Sequence, residues 1–435
     1  MRIIAVLLCS TAAWAETAAA PAAAPPPSAV DRTIASVTEE RFPKWLKLSG
    51  EFRTRMEGRT GFNYQSGNND MYGLFRTRVN IELVPASWMS VYFQGQDSRV
   101  SGMDVGRPLG IFKDTADVRQ AYVRFGKTNG PVKLTVGRQL LNYGAQRVLG
   151  PLDWTNNARN WDAVKLELGT ANAKVDLFAS TVVQTDPLRR LNQPRRGFNI
   201  HGAYGSLKKV VPAAVFEPYL LWKTGNASIW TGGFRLASLP GAKQLRGFDY
   251  QIEIARQWGT VGALTHTGTA VALVGGRTIG SHAWKPHVSA EYSYASGDKN
   301  PGDRTHRTFD HLLGTNHLFY GLVDAVGWQN MNNVRTGFDI KPHKKLQFNA
   351  DYHWLWLASA RDALYNVAGA ATVRPRAGNT ARSIGTELDF TMMYAVSKQW
   401  KAGAGVGHLF AGEFLKQNSR GSGQTFPYVF AQYSF

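Results

Sequence analysis

The chain has 435 residues, of which 43% are hydrophobic and 12% aromatic, and its formal net charge is +19 at pH 7. Such a basic excess predicts a polyanionic partner, for which nucleic acid, lipopolysaccharide phosphate and an anionic solute in a pore are the candidates. The sole cysteine, Cys9, lies in the first ten residues, so disulfide and thiol chemistry are excluded from the rest of the chain.

Residues 1–15 have the three parts of a secretory signal peptide. Arg2 forms the charged region, residues 3–8 form the apolar region, and Ala13-Trp14-Ala15 forms the cleavage site. We therefore expect the mature chain to begin at Glu16. Export of the protein argues against nucleic acid as the polyanionic partner.

Residues 16–40 are rich in alanine and proline, and we expect them to form a disordered spacer. Residues 41–435 contain no linker or break in composition, which favours a single domain. The sequence also lacks the roughly 20 consecutive apolar residues that a membrane-spanning helix needs. If this chain spans a membrane, it does so as a β-barrel.

From about residue 45, segments of about ten residues alternate between apolar and polar side chains and are separated by turn residues. In the first segment Phe52 and Met56 share one face, and in the next segment Phe75 and Val79 do the same. The opposite faces of these two segments carry Glu51, Arg53, Arg55, Glu57, Arg76, Arg78 and Glu82. This pattern predicts strands that are apolar outside and charged inside.

Similar segments follow around residues 89–96, 132–136, 164–168 and 175–177. Alternation alone is equally typical of a soluble β-sandwich, whose apolar face would point inward. The second face of these strands, however, carries many charged residues, and the core of a soluble protein would not accept them unpaired. In a wide barrel the same residues face water. The fold class predicted is all-β, a single transmembrane antiparallel β-barrel.

The last segment, residues 428–435, places Val429, Ala431, Tyr433 and Phe435 on one face. This is typical of a lipid-facing strand with an aromatic end at the membrane interface. The 13 Trp, 16 Tyr and 22 Phe supply enough rings for aromatic girdles at both interfaces. The predicted location is the bacterial outer membrane.

Two stretches carry a specific resemblance: residues 291–365, beginning EYSYASGDKNPGDRTHRTFDHLLG, and residues 137–164, GRQLLNYGAQRVLGPLDWTNNARNWDAV. With the strands FRTRVNIEL and AYVRF they resemble the alginate export family over about residues 45–435. The resemblance implies a monomeric barrel of about 18 strands with long extracellular loops. It also implies a narrow, arginine-lined lumen through which an anionic polyuronate passes.

Candidate pore-lining residues come from two sources. Alternation places Arg53, Arg55, Arg76 and Arg78 inside, with Glu51 and Glu82 as cross-strand partners. The resemblance adds Arg119, Arg138 and Arg335. Arg119 and Arg138 alternate in step with apolar neighbours, which would place them on the outer face and not in the lumen. A β-bulge would turn such a residue inward. Arginine suits a polyuronate because its fork matches a carboxylate in bidentate hydrogen bonds.

Alternatively, part of the positive charge serves to bind lipopolysaccharide phosphate at the outer rim. The candidate residues for this are the loop arginines Arg189, Arg190, Arg195 and Arg196. The segment Asp298–Asp303 lacks the spacing of a calcium loop, and the spacing of His306, His311 and His317 matches no standard zinc site. We therefore expect neither a metal nor a cofactor. The chain also lacks the G-x-S-x-G, H-E-x-x-H and P-loop motifs, so we expect no enzyme.

The sequence thus predicts an outer-membrane channel for the passive, anion-selective passage of an anionic polysaccharide or oligosaccharide. The main alternative is a general porin for small organic anions, since the bore depends on how loops 139–160 and 296–320 fold. A barrel enzyme and a plugged structural barrel are the rivals from other classes. Expected partners are the anion, outer-membrane lipid and lipopolysaccharide, and a periplasmic scaffold protein.

Overall fold

The computed structural model describes residues 43–104, 110–188, 191–315, 317 and 319–435. The expected signal peptide and spacer, together with Arg189 and Arg190, lie outside the described residues. Within these residues, 18 strands form one closed antiparallel barrel, as the sequence predicts.

The barrel strands on the N-terminal half are β1 (Leu46–Arg59), β2 (Asp70–Ala86), β3 (Met89–Ser101), β4 (Asp114–Phe125), β5 (Val132–Gln139), β6 (Trp161–Gly169), β7 (Ala173–Gln184), β8 (Gln193–Leu207) and β9 (Ala214–Thr224). Those on the C-terminal half are β10 (Ala227–Ser238), β11 (Phe248–Val261), β12 (Leu264–Thr278), β13 (His287–Ala295), β15 (Met331–His343), β16 (Leu346–Leu357), β19 (Ser383–Ala395), β20 (Trp400–Ala411) and β21 (Gln424–Ser434). Three short strands lie in loops: β14 (Thr305–His306), β17 (Leu364–Tyr365) and β18 (Ala371–Val373).

Each barrel strand pairs antiparallel with the next one along the barrel, and β1 pairs with β21 to close the sheet. In this closing ladder Phe52 lies opposite Tyr433, and Arg53 lies opposite Gln432. Closure removes the free edges that an open sheet would present to lipid, where unpaired backbone groups are costly.

The outer wall is apolar, as the alternation predicts. Phe52, Phe75, Val79, Leu177 and Val429 are each between 38% and 53% exposed, while the polar residues beside them point inward. The same alternation around the whole barrel produces a lipid-facing band and a polar lumen.

The two ends of the barrel differ. At the end that holds Leu46 and Ser434, successive strands join through short turns, such as residues 87–88 and 344–345. At the opposite end lie the long loops 140–160, 296–330 and 358–382. Outer-membrane barrels have short turns in the periplasm and long loops outside the cell, which orients this one.

Helical structure is confined to short segments in the described part of the chain. These are α1 (Glu413–Asn418) and two 3₁₀ turns, Phe62–Tyr64 and Lys243–Leu245. None of the helices in the described residues is long and apolar enough to cross a membrane.

The loops 140–160 and 296–330 fold back into the barrel and supply much of its buried apolar core. Leu149 and Leu313 form a backbone bridge between the two loops. Their buried apolar side chains include Leu141, Val148, Leu149, Phe309, Phe319, Tyr320, Val326 and Trp328. The lumen is therefore a constricted passage whose shape is set by these two loops.

Candidate functional site

Four inward-facing arginines form a row on two adjacent strands. Arg53 and Arg55 lie on β1, Arg76 and Arg78 lie on β2, and Arg53 pairs directly with Arg76. All four are at most 7% exposed. Like charges directly opposite each other on a sheet repel, so the cluster requires negative partners.

Arg119 joins this cluster through a β-bulge. The β3–β4 register shifts so that Gln94 pairs with Gln120 and the next residue, Gly95, pairs with Val118. Arg119 is the extra residue, and both it and Gln120 are buried inside. Arg119 Nη1 donates to Gln94 Oε1 at 2.7 Å. The bulge shifts the alternation of β4 at this position, so the Arg119 side chain points into the lumen.

Asp153, from the folded-in loop 140–160, is the carboxylate at the centre of the cluster. Its Oδ1 lies 2.8 Å from Arg78 Nη2 and 3.0 Å from Arg119 Nη2, and its Oδ2 lies 3.5 Å from Arg76 Nη2. Burial acts to raise the pKa of Asp153, but Arg78, Arg76 and Arg119 together hold that pKa well below its usual range. The loop thus places a permanent anion among the arginines.

Backbone carbonyl groups of the same loop accept hydrogen bonds from other guanidinium groups of the cluster. Arg53 Nη2 donates to the carbonyl oxygens of Trp154 at 3.2 Å and Thr155 at 3.0 Å. Arg55 Nη1 donates to the Trp154 carbonyl at 2.7 Å, and the Arg55 guanidinium lies 4.1 Å from the centre of the Trp154 ring. Carbonyl oxygens are acceptors for a guanidinium group in the same way as the oxygens of a carboxylate, which bind it more strongly.

The two predicted glutamates have different places. Glu51 lies within the cluster, where its Oε1 accepts from Arg76 Nε at 2.7 Å and its Oε2 accepts from Gln432 Nε2 at 2.9 Å. Glu82 lies near the periplasmic rim, where its Oε2 is 2.9 Å from Lys47 Nζ. The structure therefore brings Glu51, and not Glu82, together with the arginines.

A cavity of about 550 Å³ lies against this cluster. Lys401, Ser434 and Phe435 line it near the periplasmic end, whereas Asp153 and Trp154 line it where the loop crosses. Its wall includes Glu51, Arg53, Arg55, Arg76, Arg78, Asn80, Tyr92, Gln94, Arg119 and Gln120. An anion in the cavity would meet five guanidinium groups.

Arg335 belongs to a second cluster on another part of the wall. Its Nη2 lies 3.3 Å from Glu291 Oε2, and its Nη1 lies 3.0 Å from Asp351 Oδ1. Arg147 of loop 140–160 reaches the same Glu291, with Nη2 2.9 Å from Oε1, and lies 3.8 Å from the Phe319 ring centre. Arg147 and Glu291 are completely buried, so this pair fixes the loop to β13.

Loop 296–330 has its own carboxylate anchors on β19. Glu387 Oε1 accepts the Val323 N–H at 2.8 Å, and Asp389 Oδ2 accepts the Leu322 N–H at 3.1 Å. Gly321, at φ +98°, allows this approach, because a Cβ there would collide with the Glu387 carboxylate. These two side chains were not among the residues predicted from the sequence.

The two loops also contact each other. The rings of Trp154 and His317 stack with their centres 4.4 Å apart, and Tyr428 of β21 packs edge-on against Trp154 at 4.9 Å. The loops therefore form one connected constriction.

Arg138 lies outside both clusters. It pairs with Ala121, which in turn pairs with the lipid-facing Phe93, so it shares the outer face. Its Nε donates to Asp162 Oδ1 at 2.8 Å and its Nη2 donates to the Asn192 carbonyl at 3.0 Å. Arg138 therefore does not line the lumen as the sequence analysis predicts, because the strand carries no bulge that would turn it inward.

The remaining sequence candidates lie at the loop end. Arg195 and Arg196 are exposed at the start of β8. His306 Nδ1 lies 3.0 Å from His266 Nδ1, and His311 Nδ1 lies 2.7 Å from Gln329 Oε1. In the described part of the chain no group of three or more candidate ligands is placed to hold a metal ion.

Asp153 and Arg147 are two further side chains of these clusters that residue patterns missed. Both lie in a segment without strand alternation, although the PLDW motif that contains Asp153 lies in one of the two resembling stretches. Alternation identifies which strand residues face the lumen, but it gives no position to a loop residue that folds back into it.

The family model for alginate export matches residues 44–431. Among solved structures, Pseudomonas aeruginosa OccK3 (OpdO) is similar at 12% identity, covering 92% of this chain and 98% of that chain with a TM-score of 0.63. OccK11 (OpdR) of the same organism has 13% identity, coverage of 90% and 96%, and a TM-score of 0.58.

OccK2 (OpdF) of Pseudomonas aeruginosa, solved in complex with glucuronate, has 10% identity, coverage of 91% and 99%, and a TM-score of 0.60. At these identities the likeness shows the shared barrel fold. No curated protein matches the sequence.

Proposed function

The chain belongs to the alginate export family and is an outer-membrane channel, and from this premise we propose that it passes an anionic saccharide of the polyuronate type. Passage is passive and anion-selective, and the arginine cluster of the lumen is its selectivity site. The family and the porin-like barrel point to a channel and not to an enzyme.

The observation that carries the proposal is the convergence of five arginines on the infolded loop 140–160, three of them on its Asp153 carboxylate. Arg78, Arg119 and Arg76 surround Asp153, while Arg53 and Arg55 bind carbonyl oxygens of the same loop. A uronate carboxylate has the charge and fork geometry to replace these oxygens one at a time. Exchange among neighbouring guanidinium groups lets the anion move on instead of being trapped.

A second candidate function is supported by the size of the lumen cavity. Its volume of about 550 Å³ falls in the range of roughly 300–1,000 Å³ that holds small ligands. The loops 140–160 and 296–330 cross the lumen beside it. The same wall would then serve short uronates or other small organic anions, as in a general porin.

The proposal requires only one chain, because the five arginines and the crossing loop come from the same barrel. A barrel has no energy source of its own, so transport follows a gradient or is coupled to partners. A periplasmic scaffold protein that delivers the saccharide is therefore part of the proposal.

The test is the current through single channels of the refolded mature protein in a planar bilayer under a salt gradient. We expect a reversal potential that indicates anion selectivity, and block by polymannuronate added to the solution. In the double variant Arg76→Gln/Arg78→Gln the selectivity and the block should both fall, because two guanidinium groups are lost while hydrogen-bond donors remain.

The matched control is Arg374→Gln/Arg376→Gln, which removes the same charge from exposed positions of loop 358–382. It should behave like the unaltered protein. Anion selectivity with block by glucuronate but not by polymer would favour the small-anion porin. A cation-selective or nonconducting protein would overturn the proposal.

A further inference from the structure

A basic surface separate from the lumen arginines lies at the periplasmic end of the barrel. Eight turns connect the strands there: residues 87–88, 126–131, 170–172, 208–213, 239–247, 279–286, 344–345 and 396–399. They contain nine lysines and arginines and not one aspartate or glutamate: Lys127, Lys208, Lys209, Lys243, Arg246, Lys285, Lys344, Lys345 and Lys398. We refer to these nine residues as the turn collar.

The loops at the opposite end do not share this bias. Loop 296–330 carries Asp298, Asp303, Asp310 and Asp324 among its basic residues. Loops 358–382 and 412–423 likewise mix the two signs of charge. The basic composition of the whole chain therefore does not explain why the eight turns at the periplasmic end contain no carboxylate.

Among the described residues, none of the nine collar cations forms an ion pair with a carboxylate oxygen within 4.0 Å. Carboxylates at the nearby strand ends are bound by strand residues: Glu82 by Lys47 at 2.9 Å, and Asp249 and Asp339 by His287 at 2.9 and 3.1 Å. Lys345 is held by a backbone carbonyl, that of Val396, at 2.8 Å.

The collar is unevenly distributed around the mouth. Eight of its nine residues lie on five consecutive turns, from the β8–β9 turn to the β19–β20 turn. The arginine cluster lies on β1 to β4, outside the arc from β8 to β20 that these turns span. The lumen cavity, lined by Lys401 and Ser434, lies between the mouth and that cluster.

We propose that the turn collar is a capture surface that binds the polyanion at the periplasmic mouth before the polyanion reaches the lumen. This inference rests on the proposed function and adds to it the surface that first binds the saccharide. A chain with one carboxylate per sugar contacts several collar cations at once. Its leading end is thereby brought to the cavity and the arginine cluster.

The physical effect is an increase in the rate of encounter. Single exposed cations are screened beyond about 8 Å at physiological salt. Several cations of one sign around a mouth, however, raise association rates of an oppositely charged solute by roughly 10 to 10³-fold, and salt removes this gain. The collar should thus act on the on-rate of the polymer and leave the open-channel conductance unchanged.

The experiment measures the on-rate of polymannuronate block for one channel at a time, with polymer added first to one side and then to the other. Bilayers of zwitterionic lipid exclude a contribution from anionic headgroups. Orientation is established with Ala377→Cys, an exposed position of loop 358–382, whose biotinylation and streptavidin binding reduce the current from the loop side only. The only natural cysteine lies in the expected signal peptide.

We expect the on-rate in 0.1 M salt to be about tenfold higher from the turn side than from the loop side, and equal from both sides in 1 M salt. The variant Lys208→Gln/Lys209→Gln/Lys243→Gln/Arg246→Gln should lose most of this difference. The matched control Arg374→Gln/Arg376→Gln/Lys416→Gln/Arg420→Gln removes four exposed charges from the loop end and should retain it.

Equal on-rates from the two sides in 0.1 M salt would overturn the collar inference while leaving the selectivity site intact. An unchanged on-rate in the turn variant would also overturn it, and would leave an acidic periplasmic protein as the partner of these turns. Absence of block from either side would instead overturn polymer passage, which is the proposed function itself.

Discussion

Asp153 illustrates how one side chain changes the charge of the lumen wall. Its carboxylate neutralises part of the charge of Arg76, Arg78 and Arg119, and its side chain is 39% exposed to the cavity. Because these arginines keep its pKa well below the usual range, Asp153 stays ionised throughout the pH range in which free aspartate titrates. Under the proposed function it therefore competes with a bound anion for the same guanidinium groups.

We predict that Asp153→Asn increases anion selectivity and strengthens glucuronate block, since the amide removes one negative charge and keeps the shape. The effect should be the same at pH 7 and pH 5. The pKa of Asp153 is lower in the folded protein than the value of about 3.9 for an unfolded chain. Its ion pairs with the arginines are therefore fully formed above about pH 3.9 and are lost only as the pH falls toward the lower folded value. Reversal potentials at the two pH values check this.

Asp303→Asn is the control for this substitution. Asp303 pairs with Arg307 in the outer loop, where its Oδ2 lies 2.8 Å from Nη1, and it is remote from the cluster. A selectivity change of equal size in both variants would contradict the role given to Asp153.

At the residue scale, sequence and structure agree best where the strand period is regular. Arg53, Arg55, Arg76 and Arg78 lie where alternation places them. Arg119 and Arg138 both occupy positions that the strand period assigns to the outer face, but the structure separates them: the bulge turns Arg119 inward, and Arg138 stays on the outer face. A bulge depends on the partner strand, so parity within one strand does not reveal it.

At the scale of elements, the loop 140–160 is the decisive feature. It is held on one side by the arginine cluster and on the other by the buried Arg147–Glu291 pair. A loop with two anchors on different parts of the wall spans the lumen instead of lying along it. The width of the channel therefore depends on contacts that join distant parts of the chain.

We predict that Arg147→Met releases this loop. Removing one partner of a buried ion pair costs up to about 3–5 kcal/mol, and Glu291 would then keep only Arg335, at 3.3 Å, as its cationic partner. Single-channel conductance should increase, and the open current should become noisier as the loop moves in the lumen. Limited proteolysis of the folded barrel should then cleave within residues 140–160.

The double variant Arg147→Met/Glu291→Leu separates anchoring from burial of charge. Replacing both partners by apolar groups is often neutral, and Arg335 retains Asp351 at 3.0 Å. The double variant should therefore regain much of the stability of loop docking. Failure to regain it would indicate that the hydrogen bonds of Arg147, for example to Tyr320 at 3.0 Å, are what hold the loop.

At the scale of the whole molecule, the barrel inverts the usual arrangement of a soluble protein. Val79 and Asn80 are consecutive on β2, yet Val79 is 46% exposed on the lipid side and Asn80 lines the cavity. The two positions therefore provide a matched pair for testing the orientation of the wall.

We predict that Val79→Arg destabilises the barrel by about 2–4 kcal/mol, the cost of arginine on the lipid face near the bilayer midplane. Asn80→Arg places the same side chain in the water-filled lumen and should change the stability by less than about 1 kcal/mol. Urea unfolding in lipid vesicles, followed by tryptophan fluorescence, measures both. Equal costs would contradict the assigned faces.

The sequence by itself determined the barrel, its location, the apolar outer wall and the row of inward arginines on β1 and β2. Each of these follows from local rules: a period of two along a strand, turn residues between strands, and the cost of burying unpaired charge. The family resemblance in residues 137–164 and 291–365 pointed to the two loops that matter.

Only the tertiary structure decided what those arginines bind, which way Arg119 and Arg138 point, and how the lumen is narrowed. These features depend on Asp153, Arg147, Glu291 and Glu387, whose contacts join residues up to 173 positions apart in the sequence. The turn collar likewise becomes visible only when the barrel topology places every second connection at the same end of the barrel. Its turns contain lysines and arginines but no carboxylate. Such contacts arise from closure of the sheet and infolding of loops, and no periodicity within a strand encodes them.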